Sequence, residues 1–284
     1  MGVEPAAPPI RGRARVLANA VEGSGRKLLL EVPDWPGSRP GQFLMIGAGA
    51  DSAAMRRDPL LPRPMAVYRN LAALEGPPEG EASAARIELL YRVVGRGTTL
   101  LAETEPGQTL GVVGPLGRGF PIEGGAAPAL LVGGGTGIAS LFELAGALLA
   151  VGRPVCVALG ARTERDLIGR GDFESLSGLS LTCTTEDGSF GRRGRVTEAL
   201  AEWIERFGSE AAVFACGPTP MMRACAELAE IHSMRCWVSL ENPMACGFGV
   251  CLGCAAPRQD GGFSLVCRDG PVFEAREIDW EGLP

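Results

Sequence analysis

From position 13 to about 120 apolar and polar residues alternate in short runs punctuated by Gly and Pro, and no segment keeps a helical period. The runs at 13–20, 26–32, 42–46, 65–69, 86–94 and 109–113 are predicted strands, and six strands at this spacing predict a small antiparallel barrel. The stretch 75–84, rich in Gly, Pro, Ala and Glu, is expected to be an exposed hairpin extension without chemistry. After position 121 the texture changes. Strand-length apolar runs at 129–132, 155–159, 179–184 and 212–215 are separated by helical patterns, which predicts an α/β layer on a parallel sheet. Near Trp237 periodicity ends and glycines crowd with cysteines, so a small metal-binding tail is expected. The predicted division is therefore 11–120, 121–236 and 237–284.

Composition narrows the class. Of 284 residues 46% are hydrophobic and 21% charged, which excludes a chain disordered throughout. The net charge of −6, with basic residues scattered, lacks the footprint of a nucleic-acid binder. The apolar stretch 126–151 has the length to span a bilayer, but Gly133, Gly134, Gly135 and Gly137 interrupt it and Glu143 sits inside it. A strand, a glycine loop and a soluble helix are expected there. The first ten residues are proline-rich and lack the basic-then-apolar pattern of a signal peptide, so a cytoplasmic location is expected. The one histidine, His232, ends an amphipathic pattern and is expected on the surface; the one lysine, Lys27, has no expected role.

Nine cysteines, an odd number without an export signal, are expected to be reduced. Cys246, Cys251 and Cys254 read Cys-x4-Cys-x2-Cys, and Cys267 follows after twelve residues, which is the plant-type ferredoxin spacing for a 2Fe-2S cluster. Two irons need four thiolates and a loop whose amides face the sulfurs; Gly247, Gly249 and Gly253 allow such a wrap. A zinc knot or four structural thiols are the alternatives, although zinc sites usually pair two short hooks. Cys156, Cys183, Cys225 and Cys236 fall in apolar surroundings as small core residues.

The strand at 129–132 runs into Gly133-Gly134-Gly135-Thr136-Gly137, and 138–150 then opens as a helix whose start suits a pyrophosphate. Ile138 breaks the G-x-G-x-x-G pattern, so a tight strand–helix turn is the competing reading. Cys216-Gly217-Pro218 follows another strand, at the carboxyl edge where open α/β sheets bind ligands. Arg162 and Arg165 follow the second α/β strand, where an arginine could meet a 2′-phosphate.

Arg63-Pro64-Met65-Ala66-Val67-Tyr68, Tyr91 to Thr98 and Gly114-Pro115-Leu116-Gly117 resemble the flavin-binding signatures of the ferredoxin-reductase superfamily. Glu186-Asp187-Gly188-Ser189, Cys216-Gly217-Pro218, the run Ser239 to Gly247, and Cys267 to Phe273 are similar, more narrowly, to the electron-transfer subunits of dihydroorotate dehydrogenase B. That resemblance implies an FAD-binding barrel, a nicotinamide-binding α/β domain preferring NAD, and a C-terminal 2Fe-2S loop. It carries FAD contacts onto Arg63, Pro64, Met65 and Ala66, onto Leu90, Tyr91 and Arg92, and onto Gly97 and Thr98. Arg63 would pair with the flavin pyrophosphate, and Gly97 and Thr98 would offer a backbone N–H and a hydroxyl. It further implies that electrons from dihydroorotate oxidation leave through this chain, and that an FMN-containing catalytic subunit is the partner, two of each chain together. Ala66 departs from the Ser or Thr usual near the flavin's reactive nitrogen, and Asn242-Pro243 departs from the charged residues usual before the cluster. A reductase subunit serving ferredoxin or a sulfur compound, and a zinc-stapled nucleotide-binding regulator, are the other readings.

Overall fold

The computed structural model describes residues 8–47, 61–71 and 84–283; of the expected hairpin extension only Ala84 falls among them. The barrel begins with β1 (Ile10–Glu22), β2 (Gly25–Pro33) and β3 (Phe43–Ile46), continues through β4 (Arg63–Ala66), β5 (Arg69–Leu71) and β6 (Ala84–Tyr91), and after a short helix α1 (Arg96–Ala102) ends with β7 (Thr109–Leu116). The strands pair antiparallel in the order β4-β3-β7-β1-β2-β6-β5. Alternate residues point inward as a half-buried strand requires. Leu28, Leu30 and Val32 of β2 pack with Ala14 and Val16 of β1 and Ile87 and Leu89 of β6.

Two details differ from the sequence pattern. The single strand expected at 65–69 is two, because one segment serves both edges of the sheet. Val67 N–H donates to Gln42 O at 3.0 Å on the β3 side, and the next residue, Tyr68, donates to Glu88 O at 2.9 Å on the β6 side. That switch raises the strands from the six expected to seven. The helix α1 has no counterpart in the sequence pattern, since seven residues, RGTTLLA, are too few to display a helical period. The strand expected over 86–94 ends at Tyr91, and Val94 leaves the sheet exposed.

The second sheet is built from β8 (Ala129–Gly134), helix α2 (Phe142–Ala150), β9 (Val155–Ala161), α3 (Arg170–Ser175), β10 (Leu179–Thr185), a short β11 (Arg192–Arg193), α4 (Val196–Phe207), β12 (Ala212–Cys216), α5 (Thr219–Ile231) and β13 (Arg235–Ser239). A hairpin β14 (Ala255–Pro257) and β15 (Phe263–Leu265), a turn of helix α6 (Val266–Asp269) and β16 (Val272–Glu274) complete the chain. The order is β11-β10-β9-β8-β12-β13-β16, parallel except for β16. Leu130 and Val132 of β8 face α4 and α5, whereas Ala129 and Leu131 face α2 and α3, so the sheet is buried on both sides. The expected division at 236/237 falls inside β13, and β16 puts a C-terminal strand into the nucleotide sheet.

The glycine run does not open directly into the helix: a 3-10 turn over Gly135–Ser140 intervenes, and α2 starts at Phe142 rather than at 138. His232 caps α5 and is exposed, as expected, and Cys156, Cys183, Cys225 and Cys236 are buried. No helix among the described residues is long and apolar enough to cross a membrane.

Candidate functional site

A cavity of about 560 Å³ opens between the barrel and the carboxyl edge of the parallel sheet. The barrel contributes Arg63, Pro64, Met65 and Ala66 from β4, Leu90 and Tyr91 from β6, then Arg92, and Thr98 from α1. The sheet contributes Thr136 and Ser140 from the 3-10 turn, and Ser239, Leu240 and Glu241 from the end of β13. Eight of the nine residues assigned to FAD by resemblance therefore line one cavity. The ninth, Gly97, lies behind Arg63: a Cβ there would run into the guanidinium, so glycine is what lets Arg63 lie against α1.

Three side chains behave differently from expectation or more specifically. The Thr98 hydroxyl is already spent within its own turn, donating to Gly95 O at 2.9 Å and accepting from Val94 N–H and Gly95 N–H. It is not a free hydroxyl for a ligand. Tyr91 is both wall and barrel core, 2% exposed, with its hydroxyl donating to Asn19 Oδ1 at 3.0 Å. Glu241 is exposed toward the cavity, and partial desolvation by the surrounding protein raises its carboxyl above the usual range.

On the other side of the glycine run lies a second cavity of about 500 Å³, lined by Gly134, Gly135 and Pro218 and by Arg162, Thr184, Glu186 and Thr197. Arg92 lines both cavities. The glycine run is thus divided, Thr136 facing the first cavity and Gly134 and Gly135 the second. Gly133, Gly137, Cys216 and Gly217 are packing positions beneath it. A Cβ on Gly133 would meet Ile138, one on Gly137 the backbone of Cys216, and one on Gly217 the backbone of Gly134. Cys216 is fully buried, its thiol donates to Ser239 O at 3.5 Å, and burial pushes it up to about 12, so it stays a thiol at neutral pH.

Thr184 belongs to no motif that the sequence displays. It is 2% exposed on the wall of the second cavity, and its hydroxyl has no partner in the protein. An orphaned buried hydroxyl costs free energy unless a ligand or water satisfies it, so this cavity fits a polar guest such as a dinucleotide. Its position, at the carboxyl end of a parallel strand, is the signal that could have found it.

The cysteine loop follows from β13 and rests on the barrel; the space a Gly247 side chain would need is taken by Met45. Gly247 and Gly249 take φ of +86° and +85°, as the wrap requires, but Gly253 does not; Leu252, at φ +61°, holds the left-handed position instead. The four thiols lie in two pairs. Cys246 interacts with Cys251, and Cys267 with Cys254. Gly249 N–H donates to Cys267 Sγ at 3.1 Å, and Cys267 N–H to Cys254 Sγ at 3.4 Å. Burial would raise the Cys246 thiol, but backbone N–H groups of Cys251, Phe248 and Val250 outweigh it and bring it down to about 6. Among the described residues no three His, Cys, Asp or Glu side chains converge on one point. Two pairs fit a two-iron cluster, two thiolates to each iron, better than one tetrahedral zinc. Cys254 and Cys267 share a core with Phe43, Met45 and Leu116, and Phe43 also lines the first cavity. Around the loop Phe248, Val250 and Leu252 are 56%, 73% and 63% exposed.

An antiparallel barrel, a parallel sheet with cavities at its carboxyl edge, and a loop of paired thiols on their shared core define a flavin-dependent reductase with an iron-sulfur extension. The comparisons agree. The profile "Iron-sulfur cluster binding domain of dihydroorotate dehydrogenase B" matches residues 241–279, and "Oxidoreductase NAD-binding domain" matches 131–227. The "Dihydroorotate dehydrogenase B (NAD(+)), electron transfer subunit" of Caldanaerobacter subterraneus subsp. tengcongensis is 39% identical, over 94% of this chain and 97% of its own. That of Bacillus caldolyticus is 37% identical over 84% and 86%. A chain of the NADH-dependent reduced ferredoxin-NADP oxidoreductase is 30% identical with a TM-score of 0.76, covering 94% of this chain and 90% of its own. The chain belongs to the family of dihydroorotate dehydrogenase B electron-transfer subunits.

Proposed function

We propose that this chain is the electron-transfer subunit of an NAD-dependent dihydroorotate dehydrogenase of pyrimidine biosynthesis. In that role it relays electrons from the FMN of a separate catalytic subunit, through a 2Fe-2S cluster and FAD, to NAD+. When bound, FAD supplies the conversion between single electrons and hydride, and the protein fixes its surroundings. The observation that carries the reading is Phe43, which lines the first cavity and packs in the same core as Cys254 and Cys267.

In this reading Arg63, Pro64, Met65, Ala66, Leu90, Tyr91 and Arg92 hold FAD in the first cavity, with Gly97 leaving room for Arg63 and Thr98 stiffening the adjoining turn. Cys246, Cys251, Cys254 and Cys267 hold the cluster. Gly134, Gly135, Pro218 and Thr184 meet NAD in the second cavity, while Gly133, Gly137, Cys216 and Gly217 shape the turn beneath it, and Thr136 faces the flavin side. The cluster loop docks on the catalytic subunit through Phe248, Val250 and Leu252, apolar groups that a free surface seldom clusters. Two copies of each chain form the enzyme, in the cytoplasm. The three parts act as 11–120 for flavin, 121–236 for nicotinamide and 237–284 for the cluster, with β13 and β16 stitching the last two together.

Co-purification from the native cell tests this: the expected companion is a chain that, with this one, reduces NAD+ when given dihydroorotate. The likeness to the ferredoxin-NADP oxidoreductase chain favours a second reading, a subunit that exchanges electrons with ferredoxin. Ferredoxin-dependent turnover without any response to dihydroorotate would select it.

A further inference from the structure

Arg92 follows β6 on the barrel side, yet its partner belongs to the other half of the molecule. Its Nη2 lies 3.2 Å from Oδ1 of Asp166, in the segment after β9. The carboxylate is held from two further sides. Ser24 Oγ, in the turn between β1 and β2, donates to Oδ1 at 2.7 Å, and Thr163 Oγ1 donates to Oδ2 at 3.0 Å. Asp166 lines the second cavity, and Arg92 lines both.

A guanidinium carries five donors in a planar fork, so pairing with one carboxylate leaves donors for other anions, which a lysine in the same place would offer with less directional control. We infer that Asp166 is a positioning residue: it fixes Arg92 in the wall between the cavities, where one guanidinium meets the pyrophosphate of FAD on one side and that of NAD on the other. This rests on the functional reading above and adds a consequence to it. Because one cation serves both guests, occupancy of each cavity sets the guanidinium for the other, and the two binding equilibria are coupled. Such coupling is reciprocal, so NAD+ must tighten FAD by the same factor by which FAD tightens NAD+.

The test is FAD dissociation from the purified flavin-loaded chain, followed by flavin fluorescence with and without saturating NAD+. In the wild type NAD+ is expected to lower the FAD dissociation constant about fivefold or more. Asp166→Asn brings that factor close to one, as does Arg92→Gln, and the double variant loses no more coupling than Arg92→Gln alone. Thr163→Val, which keeps the Ser24 contact, reduces the factor in part and serves if Asp166→Asn does not fold. Absence of any NAD+ effect in the wild type, a full factor in Asp166→Asn or Thr163→Val, or additive losses in the double variant would each overturn the inference. A chain that carries no flavin at all overturns the functional reading with it, whereas a flavoprotein whose coupling survives Asp166→Asn overturns this inference alone.

Discussion

Lys27, the one lysine in the chain, places its Nζ 2.6 Å from Oδ2 of Asp172, joining barrel strand β2 to helix α3 of the nucleotide sheet. The same carboxylate accepts from the Tyr68 hydroxyl at 2.7 Å and from Arg69 Nη1 at 3.0 Å. Tyr68 and Arg69 continue the segment whose β4 portion lines the first cavity, so α3 grips that cavity-lining strand a few residues beyond Ala66.

Asp172→Ala removes the acceptor from two cations and a buried hydroxyl at once. Breaking a largely buried pair from one side is costly, and since these groups keep some exposure the expected loss is about 2–4 kcal/mol, read as a fall in thermal midpoint. Burial opposes the charge of Asp172, but the Lys27 and Tyr68 hydrogen bonds and the two cations outweigh it and hold its carboxyl below the usual range. Its contribution is therefore present above the unfolded carboxylate pKa and disappears as pH falls through the folded one. Asp172→Asn is expected to flatten the acid limb of the wild-type stability curve. An unchanged acid limb would remove Asp172 from this role.

Glu143 on α2 has the opposite sign. Burial raises its carboxyl to about 7, against the lowering by the Asn70 N–H that it accepts from and by Arg69. The folded state thus favours the protonated form, and stability contributed at low pH is lost as pH rises from the unfolded value through about 7. Glu143→Gln keeps the acceptor and drops the charge. It is expected to gain about 1–2 kcal/mol over the wild type at pH 8 and to match it only below about pH 4, measured by urea unfolding. A parallel pH profile for the two proteins would contradict this.

Leu252 combines a left-handed backbone with an exposed side chain beside Cys251. A non-glycine residue there costs about 1–2 kcal/mol, which the isolated chain does not recover by burying it. Leu252→Gly is expected to leave the chain at least as stable while weakening its association with the catalytic subunit, about tenfold by sedimentation or titration calorimetry. Undiminished association would place the docking face elsewhere.

Ala66 faces the first cavity on β4, and its backbone pairs with Phe43 in the sheet. Ala66→Ser adds a hydroxyl without moving that ladder. Flavin reduction by NADH, followed by stopped flow, is expected to speed up roughly tenfold. Equal rates and an equal midpoint potential would show that this wall position takes no part.

Much of this was legible in the chain itself. The barrel strands alternate with period two, and β8, β9, β10 and β12 stand out as apolar runs, because burial on one or two faces writes itself into residue type. The spacing Cys246 to Cys267 marked the candidate metal centre for a similar reason, since ligand geometry constrains positions directly. What stayed hidden depends on tertiary contact. Val67 and Tyr68 look like the middle of one strand, and only the two edges they meet divide it. Gly133 and Gly137 read as ligand-facing but are needed for packing against Ile138 and Cys216. Thr184 is one threonine among several until its neighbours are known to leave its hydroxyl unpaired.

The most direct test is the iron, acid-labile sulfide, zinc and flavin content of the anaerobically purified chain, read beside its visible spectrum. The paired thiols of Cys246 with Cys251 and Cys254 with Cys267 predict two irons, two sulfides and one FAD per chain, with flavin and iron-sulfur bands together. A chain that holds zinc, or that binds flavin but takes up neither iron nor sulfide on reconstitution, would contradict the account.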